Sequence, residues 1–228
     1  MKGLIILLLL FSCNSVEKTK KVDELYGKVK STKTYSYLAN EENGKISSKM
    51  LVQYYVSNYN EKGQIIQKIH YSPEGVITGS WKYVYDENGN NIIVEGYSAF
   101  NDKPELKLQY NYDKNGYQTE RLSISIENGT ITGRWKFKND ANGNPTETLR
   151  WNANQVLQDK RIVKYDEHGN ITEEQLFFYP EEEKAIFHAK YTYELDAQNN
   201  WIVMKDYRPN HGGELSELLV REIMYDEP

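Results

Sequence analysis

Residues 165–170 read Tyr-Asp-Glu-His-Gly-Asn, and this six-residue phrase returns along most of the chain. Its glycines recur every 26 or 27 residues. Self-similarity at this period marks an array of equal supersecondary units, each of which buries apolar surface mainly against its neighbours. Close copies stand at residues 85–90, 112–117 and 139–144, looser copies stand at residues 59–64 and 195–200, and Tyr225-Asp226 opens one more.

The Asp-x-Asn-Gly centre of the phrase has the composition of a type I turn that closes a hairpin. Asp at the first position can bond its own turn backbone, and Gly at the fourth tolerates the left-handed conformation of a G1 bulge. The flanking segments alternate with a period of two, as in Trp81, Tyr83 and Tyr85 around Lys82 and Val84, which is typical of strands with one wet face. A second turn signal lies between successive phrases, so each unit holds two strands.

The predicted fold class is therefore all-β. We expect an antiparallel up-and-down meander of repeated hairpins with roughly 12 to 14 strands, because two strands per unit accumulate over the array. A sheet this wide has to twist, curl or close, so the prediction is one wide, twisted or curled sheet that is open or partly closed.

Tyr165 to Glu173, with the sequence Tyr-Asp-x-x-Gly-Asn followed by Ile-Thr-Glu, resembles the YD repeat of the rearrangement-hotspot (Rhs) and teneurin superfamily. The resemblance covers about residues 50–228 and implies a scaffold or shell rather than an activity. Larger members enclose toxin cargo, for which this chain is too short. Residues 78–83 and 132–137 are also similar to the Thr-Gly-Trp phrase of cell-wall- or choline-binding repeats, but the period favours the YD repeat.

The amino terminus has the pattern of an export signal. Lys2 precedes a short apolar run from Leu4 to Phe11, which is too short to span a bilayer but suits a signal peptide. Leu10-Phe11-Ser12-Cys13 resembles the lipobox of bacterial lipoproteins, which implies a lipid on Cys13, the only cysteine. We therefore expect a signal peptide at residues 1–12, a lipidated tether at residues 13–25 and a YD-like hairpin repeat domain at residues 26–228.

Composition and motifs exclude several function classes. A net charge of −5 without a concentrated basic face disfavours nucleic acid. The turn phrase places Gly fourth rather than sixth, which argues against an EF-hand calcium loop, and the four histidines are scattered. Because no nucleophile elbow, phosphate loop or Cys-His pairing is present, we expect a protein that is not an enzyme and has no catalytic residue, metal site or cofactor.

One set of aromatic side chains is the candidate ligand-binding surface, because aromatic rings can stack on sugar rings. The alternative is that the same rings form the core face of the sheet, where aromatic cross-strand pairs stabilise it. The sequence leaves both alternatives open. The six candidates are Trp81, Tyr83, Tyr110, Tyr112, Trp135 and Phe137.

The function expected from the sequence is that of a non-enzymatic, lipid-anchored β-repeat protein of the bacterial cell envelope, which lies on the outer membrane and faces the periplasm if the cell is Gram-negative. Its partners would be the membrane, through the lipid on Cys13, and a cell-envelope protein or polysaccharide bound by the β surface. The alternative is a structural or immunity-type factor that shields a cognate protein.

Overall fold

A computed structural model describes residues 25–180, 185–209 and 212–226 and contains fourteen strands. The signal peptide, Cys13 and most of the tether lie outside the described residues. No helix in the described ranges is long and apolar enough to cross a membrane. The strands are β1 (Val29–Glu42), β2 (Lys45–Tyr59), β3 (Ile65–Tyr71), β4 (Ile77–Tyr85), β5 (Asn91–Ser98), β6 (Leu106–Tyr112), β7 (Gln118–Ile124), β8 (Ile131–Asn139), β9 (Pro145–Asn152), β10 (Leu157–Tyr165), β11 (Ile171–Phe178), β12 (Phe187–Leu195), β13 (Trp201–Arg208) and β14 (Glu214–Tyr225).

The meander prediction is confirmed, since every strand pairs antiparallel with the next one along the chain. The sheet is fully closed, whereas the sequence predicted partial closure at most, because β1 also pairs with β14, from Val29↔Tyr225 to Leu38↔Glu217. Closure removes the two edges that an open sheet would leave unpaired. With a circular cross-section, fourteen strands tilted by about 40° enclose a backbone cylinder roughly 28 Å across. Fourteen is more than the roughly eight strands whose interior side chains just fill a barrel.

The repeated phrase forms the turns at one end of the barrel, which we call the tip end and define by residues 60–64, 86–90, 113–117, 140–144, 166–170 and 196–200. In the second of these turns, the backbone N–H of Gly89 donates to the carbonyl of Asp86 at 3.1 Å, and the N–H of Asn90 donates to Asp86 Oδ1 at 2.8 Å. Gly89 has a φ of 81°, and the register of β4 and β5 shifts beside it. These contacts agree with the predicted turn and bulge.

Tyrosines that open the phrase link neighbouring units. The hydroxyl of Tyr85 donates to the carbonyl of Ile65 at 2.8 Å, and that of Tyr112 donates to the carbonyl of Asn91 at 2.7 Å. Tyr165 donates the equivalent bond to the carbonyl of Pro145, and Tyr193, which lies two residues before the copy at residues 195–200, donates to the carbonyl of Ile171. The repeat therefore encodes a contact between units as well as a turn.

The seventh hairpin of the ring is shared between the two chain ends. The N–H of Asp226 donates to the carbonyl of Lys28 at 2.8 Å, which is the bond that Asp86 makes with Asn90 in a complete turn. Gly27, with a φ of 80°, takes the place of the turn glycine. The incomplete last copy of the phrase is thus completed by the amino-terminal segment.

Alternate side chains point outward, and this outer face is charged. On β4, β8 and β12 the outward residues are exposed while their neighbours are partly buried. A Lys or Arg side chain against acyl chains costs about 2–4 kcal/mol at the bilayer midplane. Exposed positions on these three strands include Lys82, Val84, Lys136, Lys138, Lys190, Thr192 and Glu194, and Ile77, Thr78, Ile131 and Thr132 near the strand starts are exposed as well.

The apolar core is small. Its main buried cluster is Ala39, Leu215 and Leu218, packed against partly buried Tyr37, Val203, Tyr207 and Val220. This cluster lies on the outer face of β1, β13 and β14. Beside it, Lys205 Nζ on β13 contacts Glu41 Oε1 at 2.6 Å and ties β1 across β14 to β13. Backbone ladders and cross-strand pairs, rather than a single core, therefore dominate this fold.

Candidate functional site

All six predicted aromatic residues lie on the inward face of the wall. Trp81 is the Cα partner of Gly96 and Tyr83 that of Val94, while Tyr110 and Trp135 both pair with Arg121. Tyr112 and Phe137 follow two residues after Tyr110 and Trp135 and share their face. The structure therefore brings these residues into one lumen, where a ring can contact a neighbouring strand or a bound molecule.

The Trp81 ring lies close to the backbone of Gly96, its partner on β5, which has no side chain. A Cβ built on Gly96 would stand 2.7 Å from the Trp81 ring, and one built on Gly79 would stand 2.9 Å from the carbonyl oxygen of Tyr97. One face of the indole therefore covers the backbone at Gly96. The ring also borders a hollow of about 400 Å³ whose lining includes His70, Ser98, Glu105 and Leu106.

We call this hollow and its neighbours on the wall the Trp81 site and define it by Lys68, His70, Trp81, Gly96 and Glu105, all of which except Lys68 line the hollow. Lys68 is the Cα partner of Trp81, and its Nζ lies 4.7 Å from the centre of the Tyr55 ring. Nε2 of His70 is buried without a hydrogen-bond partner. Burial, reinforced by the charge of Lys68, lowers the pKa of His70 and favours the neutral imidazole. Glu105 accepts a hydrogen bond from Ser98 Oγ at 2.7 Å.

The other tryptophans are covered or point elsewhere. The guanidinium of Arg121 lies 4.2 Å from the Trp135 ring centre, and that of Arg221 lies 3.3 Å from the Trp201 ring centre. Trp151 pairs with Arg134 on the outer face. Within the described ranges, Trp81 is the indole with no cation recorded over its ring.

A belt of arginines lies deeper in the lumen, on β7, β9 and β10. Arg150 Nε donates to Asp159 Oδ2 at 2.5 Å. Arg161 makes a bidentate pair with Glu174 at 2.7 and 2.8 Å. These are charge-assisted bonds of the strong, oriented kind. Two of the three guanidinium groups are therefore neutralised by carboxylates.

Arg121 has a different environment. Burial lowers its pKa despite a hydrogen bond from the guanidinium to Tyr110, and the charges of Arg161 and Arg150 lower it further. Its Nε has no hydrogen-bond partner. No carboxylate pairs with Arg121 among the described residues.

The arginines and Lys68 are absent from the binding surface predicted from the sequence, because that surface contained only the aromatic members of the alternating pattern. Arg121 stands two residues after Thr119, in the same return strand that follows the turn at residues 113–117. The same period of two that selects the rings would have selected it. No group of three or more His, Cys, Asp or Glu residues in the described part of the chain could hold a metal ion.

The sequence matches no protein-family model and no curated protein. Among solved structures, the barrel is similar to a porin-like protein from Bacteroides uniformis, with 9% identity, 91% of this chain and 100% of that chain covered, and a TM-score of 0.52. A porin-like protein from Bacteroides vulgatus has 12% identity, with coverage of 88% and 100% and a TM-score of 0.41. A DUF1329 family protein from Desulfovibrio piger has 10% identity, with coverage of 87% and 86% and a TM-score of 0.31. Of these three structures, the Bacteroides uniformis protein has a TM-score above 0.5, and that likeness extends to the fold alone.

The predicted relationship to the YD-repeat superfamily is wrong. The chain closes into a fourteen-strand barrel whose similarity is to a porin-like structure, and no family model supports the repeat. The physical reason is that the phrase specifies a turn, a bulge and a tyrosine link between antiparallel hairpins. Any ring of short hairpins can use these local features, so they do not identify a superfamily.

Proposed function

We propose that this protein is a non-catalytic binding protein that takes a sugar-containing ligand of the bacterial cell envelope into its barrel lumen. The observation that carries the proposal is the Trp81 site. There an indole lies on glycine backbone beside a hollow of about 400 Å³. Aromatic faces bind the apolar side of a sugar ring, while nearby polar groups can bind its hydroxyls.

The charges of the lumen support a binding role over a catalytic one. Asp159 and Glu174 are held by Arg150 and Arg161, so these carboxylates are poor candidates for a general acid or base. The Trp81 site contains one carboxylate, that of Glu105, where glycoside hydrolysis ordinarily uses two.

The proposed location is the cell envelope, with Cys13 lipidated and, if the cell is Gram-negative, the barrel on the outer membrane, facing the periplasm. The charged outer wall supports a barrel that lies in water beside the membrane rather than across it. Both described chain ends, Tyr26 and Asp226, lie at the tip end. An anchor at Cys13 would therefore lead from the tip end, and the Trp81 site opens toward the opposite end.

Tryptophan fluorescence of residues 22–228, titrated with polysaccharide fractions and peptidoglycan from the protein's own envelope, tests the proposal. We expect saturable quenching that Trp81→Ala abolishes with an unchanged melting transition. Trp151→Ala is the matched control, because Trp151 lies outside the lumen and its removal should leave quenching intact. A flat response across all fractions, or quenching that persists in Trp81→Ala, would refute the lumenal glycan site.

A protein partner is the second candidate function, and a ring of exposed apolar residues favours it. Five successive connections at the end opposite the tip end carry such residues, and Phe100 is 98% exposed. Glu74, Asp102 and Glu127 lie in the same connections, so the partner surface would be apolar and basic. The exposed residues are Val76, Ile77, Phe100, Ile126, Ile131, Val156, Phe178 and Ile186.

A photo-crosslinker at position 100, compared with one at position 136 on the outer wall, tests the second candidate in intact cells. We expect one protein adduct from position 100, lost when Val156 is changed to Asp, and no such adduct from position 136. Equal adducts from both positions, or adducts only to lipid, would count against a protein partner.

A further inference from the structure

The inward face carries more cationic than anionic groups, although the whole chain has a net charge of −5. Three cation–anion pairs are closed within it, namely Arg150–Asp159, Arg161–Glu174 and Arg208–Asp206. Glu217 accepts a hydrogen bond from Ser36 at 2.7 Å. Lys68 and Arg121 are also lumenal cations. Among the described residues, neither of them pairs with a carboxylate.

Lys68 lies at one edge of the aromatic surface, and Arg121 lies within it on β7, between Tyr110 and Trp135. Lys68 is the Cα partner of Trp81 on β4, and Arg121 is the Cα partner of Tyr110 on β6. Across the sheet, Trp81 on β4 and Arg121 on β7 are three strand spacings apart. Along the strands, Leu106 on β6 lies level with Gly96 and Trp81, and Tyr110, the partner of Arg121, follows four residues later. The wall path from Trp81 to Arg121 is therefore about 20 Å. A ligand that reaches both has to be an oligomer of several rings.

Both cations are held by aromatic groups rather than by anions. Lys68 lies over Tyr55, and Arg121 lies over Trp135 and bonds Tyr110. A ring face orients a cation without neutralising its charge, so each keeps its attraction for an oxyanion. Lys68 and Arg121 are isolated from each other by a wide spacing, so each can bind one singly charged carboxylate. A doubly charged phosphate is usually bound by several donors together, which this arrangement does not offer.

We propose that the lumenal ligand is an acidic sugar oligomer, whose rings stack along the inner aromatic surface from Trp81 and whose carboxylates pair with Lys68 and Arg121. This inference rests on the proposed function and names its ligand class. Glu105 lies on the side of the hollow that is farther from the tip end, and its negative charge repels a ligand carboxylate on that side. The acidic groups therefore lie on the side of Lys68 and Arg121.

The test compares two probes of equal length, oligogalacturonate and its methyl-ester form, in fluorescence titrations of residues 22–228. The acidic probe should bind about tenfold more tightly or better at low salt, because each charged hydrogen bond contributes at least that factor. We call this difference in affinity between the two probes the gap, and added NaCl should narrow it for the wild-type protein. Arg121→Gln should remove most of the gap. The matched control is Arg134→Gln, which removes an outer-face arginine paired with Glu120 at 2.5 Å and should leave the gap unchanged.

The outcomes separate the inference from the proposed function. Equal affinity for both probes, or a gap that Arg121→Gln leaves intact, would overturn the acidic ligand while the lumenal glycan site stands. Failure of both probes and of all envelope fractions would overturn both. Should Arg121→Gln not fold, Arg121→Lys keeps the charge and Lys68→Gln removes the other cation. The inference then requires a retained gap in the first variant and a reduced gap in the second.

Discussion

Asn200 hydrogen-bonds both of the terminal segments that meet where the barrel closes. Its side chain is completely buried. Oδ1 accepts from the N–H of Tyr26 at 2.7 Å, while Nδ2 donates to the carbonyl of Tyr26 and to the hydroxyl of Tyr225, both at 2.8 Å. One amide thereby ties together the two segments that build the seventh hairpin.

Asn200→Ala removes three hydrogen bonds, each of which contributes about 1 kcal/mol net. The expected loss in free energy of unfolding is therefore about 3 kcal/mol. The matched control is Asn144→Ala, at the same position of another turn. Asn144 Nδ2 bonds only Asp140 of its own turn, at 3.1 Å, and its Oδ1 has no partner, so the expected loss is about 1 kcal/mol.

Urea unfolding followed by tryptophan fluorescence measures the difference. With an m-value of about 2 kcal/mol/M, the midpoint of Asn200→Ala should lie about 1 M below that of Asn144→Ala. Equal midpoints for the two variants would refute the reasoning, because closure would then not depend on the link between Asn200 and the chain ends. A changed m-value would indicate that the barrel opens before it unfolds.

Two further predictions concern the turns and the outer face. Gly143→Ala should lower the free energy of unfolding by about 2–3 kcal/mol, because the φ of Gly143 is +86° and a Cβ there would stand 2.6 Å from the Tyr117 ring. Gly129→Ala should lower it by about 1 kcal/mol, because the φ of Gly129 is +71° but the space around it is open. Equal melting temperatures for the two variants would contradict this prediction. Hydrogen bonds from Lys205 and then Tyr207 lower the pKa of Glu41 below 4.5, so the stability from this contact is present above that pH and is lost as the pH falls through the lowered pKa. In Glu41→Gln, the free energy of unfolding should therefore fall less steeply with decreasing pH than in the wild-type protein. An equally steep fall would contradict a stabilising contact of the Glu41 carboxylate with Lys205 and Tyr207.

The repeated phrase was enough to predict the strands, because its determinants are local. A glycine with positive φ, an Asp that bonds its own turn and a period of two all act within a few residues. The phrase at residues 165–170 is followed directly by β11 (Ile171–Phe178), and the face shared by Trp81 and Tyr83 is inward.

Closure depended on the tertiary structure, because it joins residues at opposite ends of the chain. The bonds between Tyr26 and Asn200 cross 174 positions, and no local pattern records that Gly27-Lys28 completes the turn begun by Tyr225-Asp226. The sequence by itself determined the hairpin unit, its turn and its alternating faces, whose interactions lie within one or two hairpins. Only the ring of fourteen strands decided which face became a lumen, and thereby placed Trp81, Lys68 and Arg121 around one space.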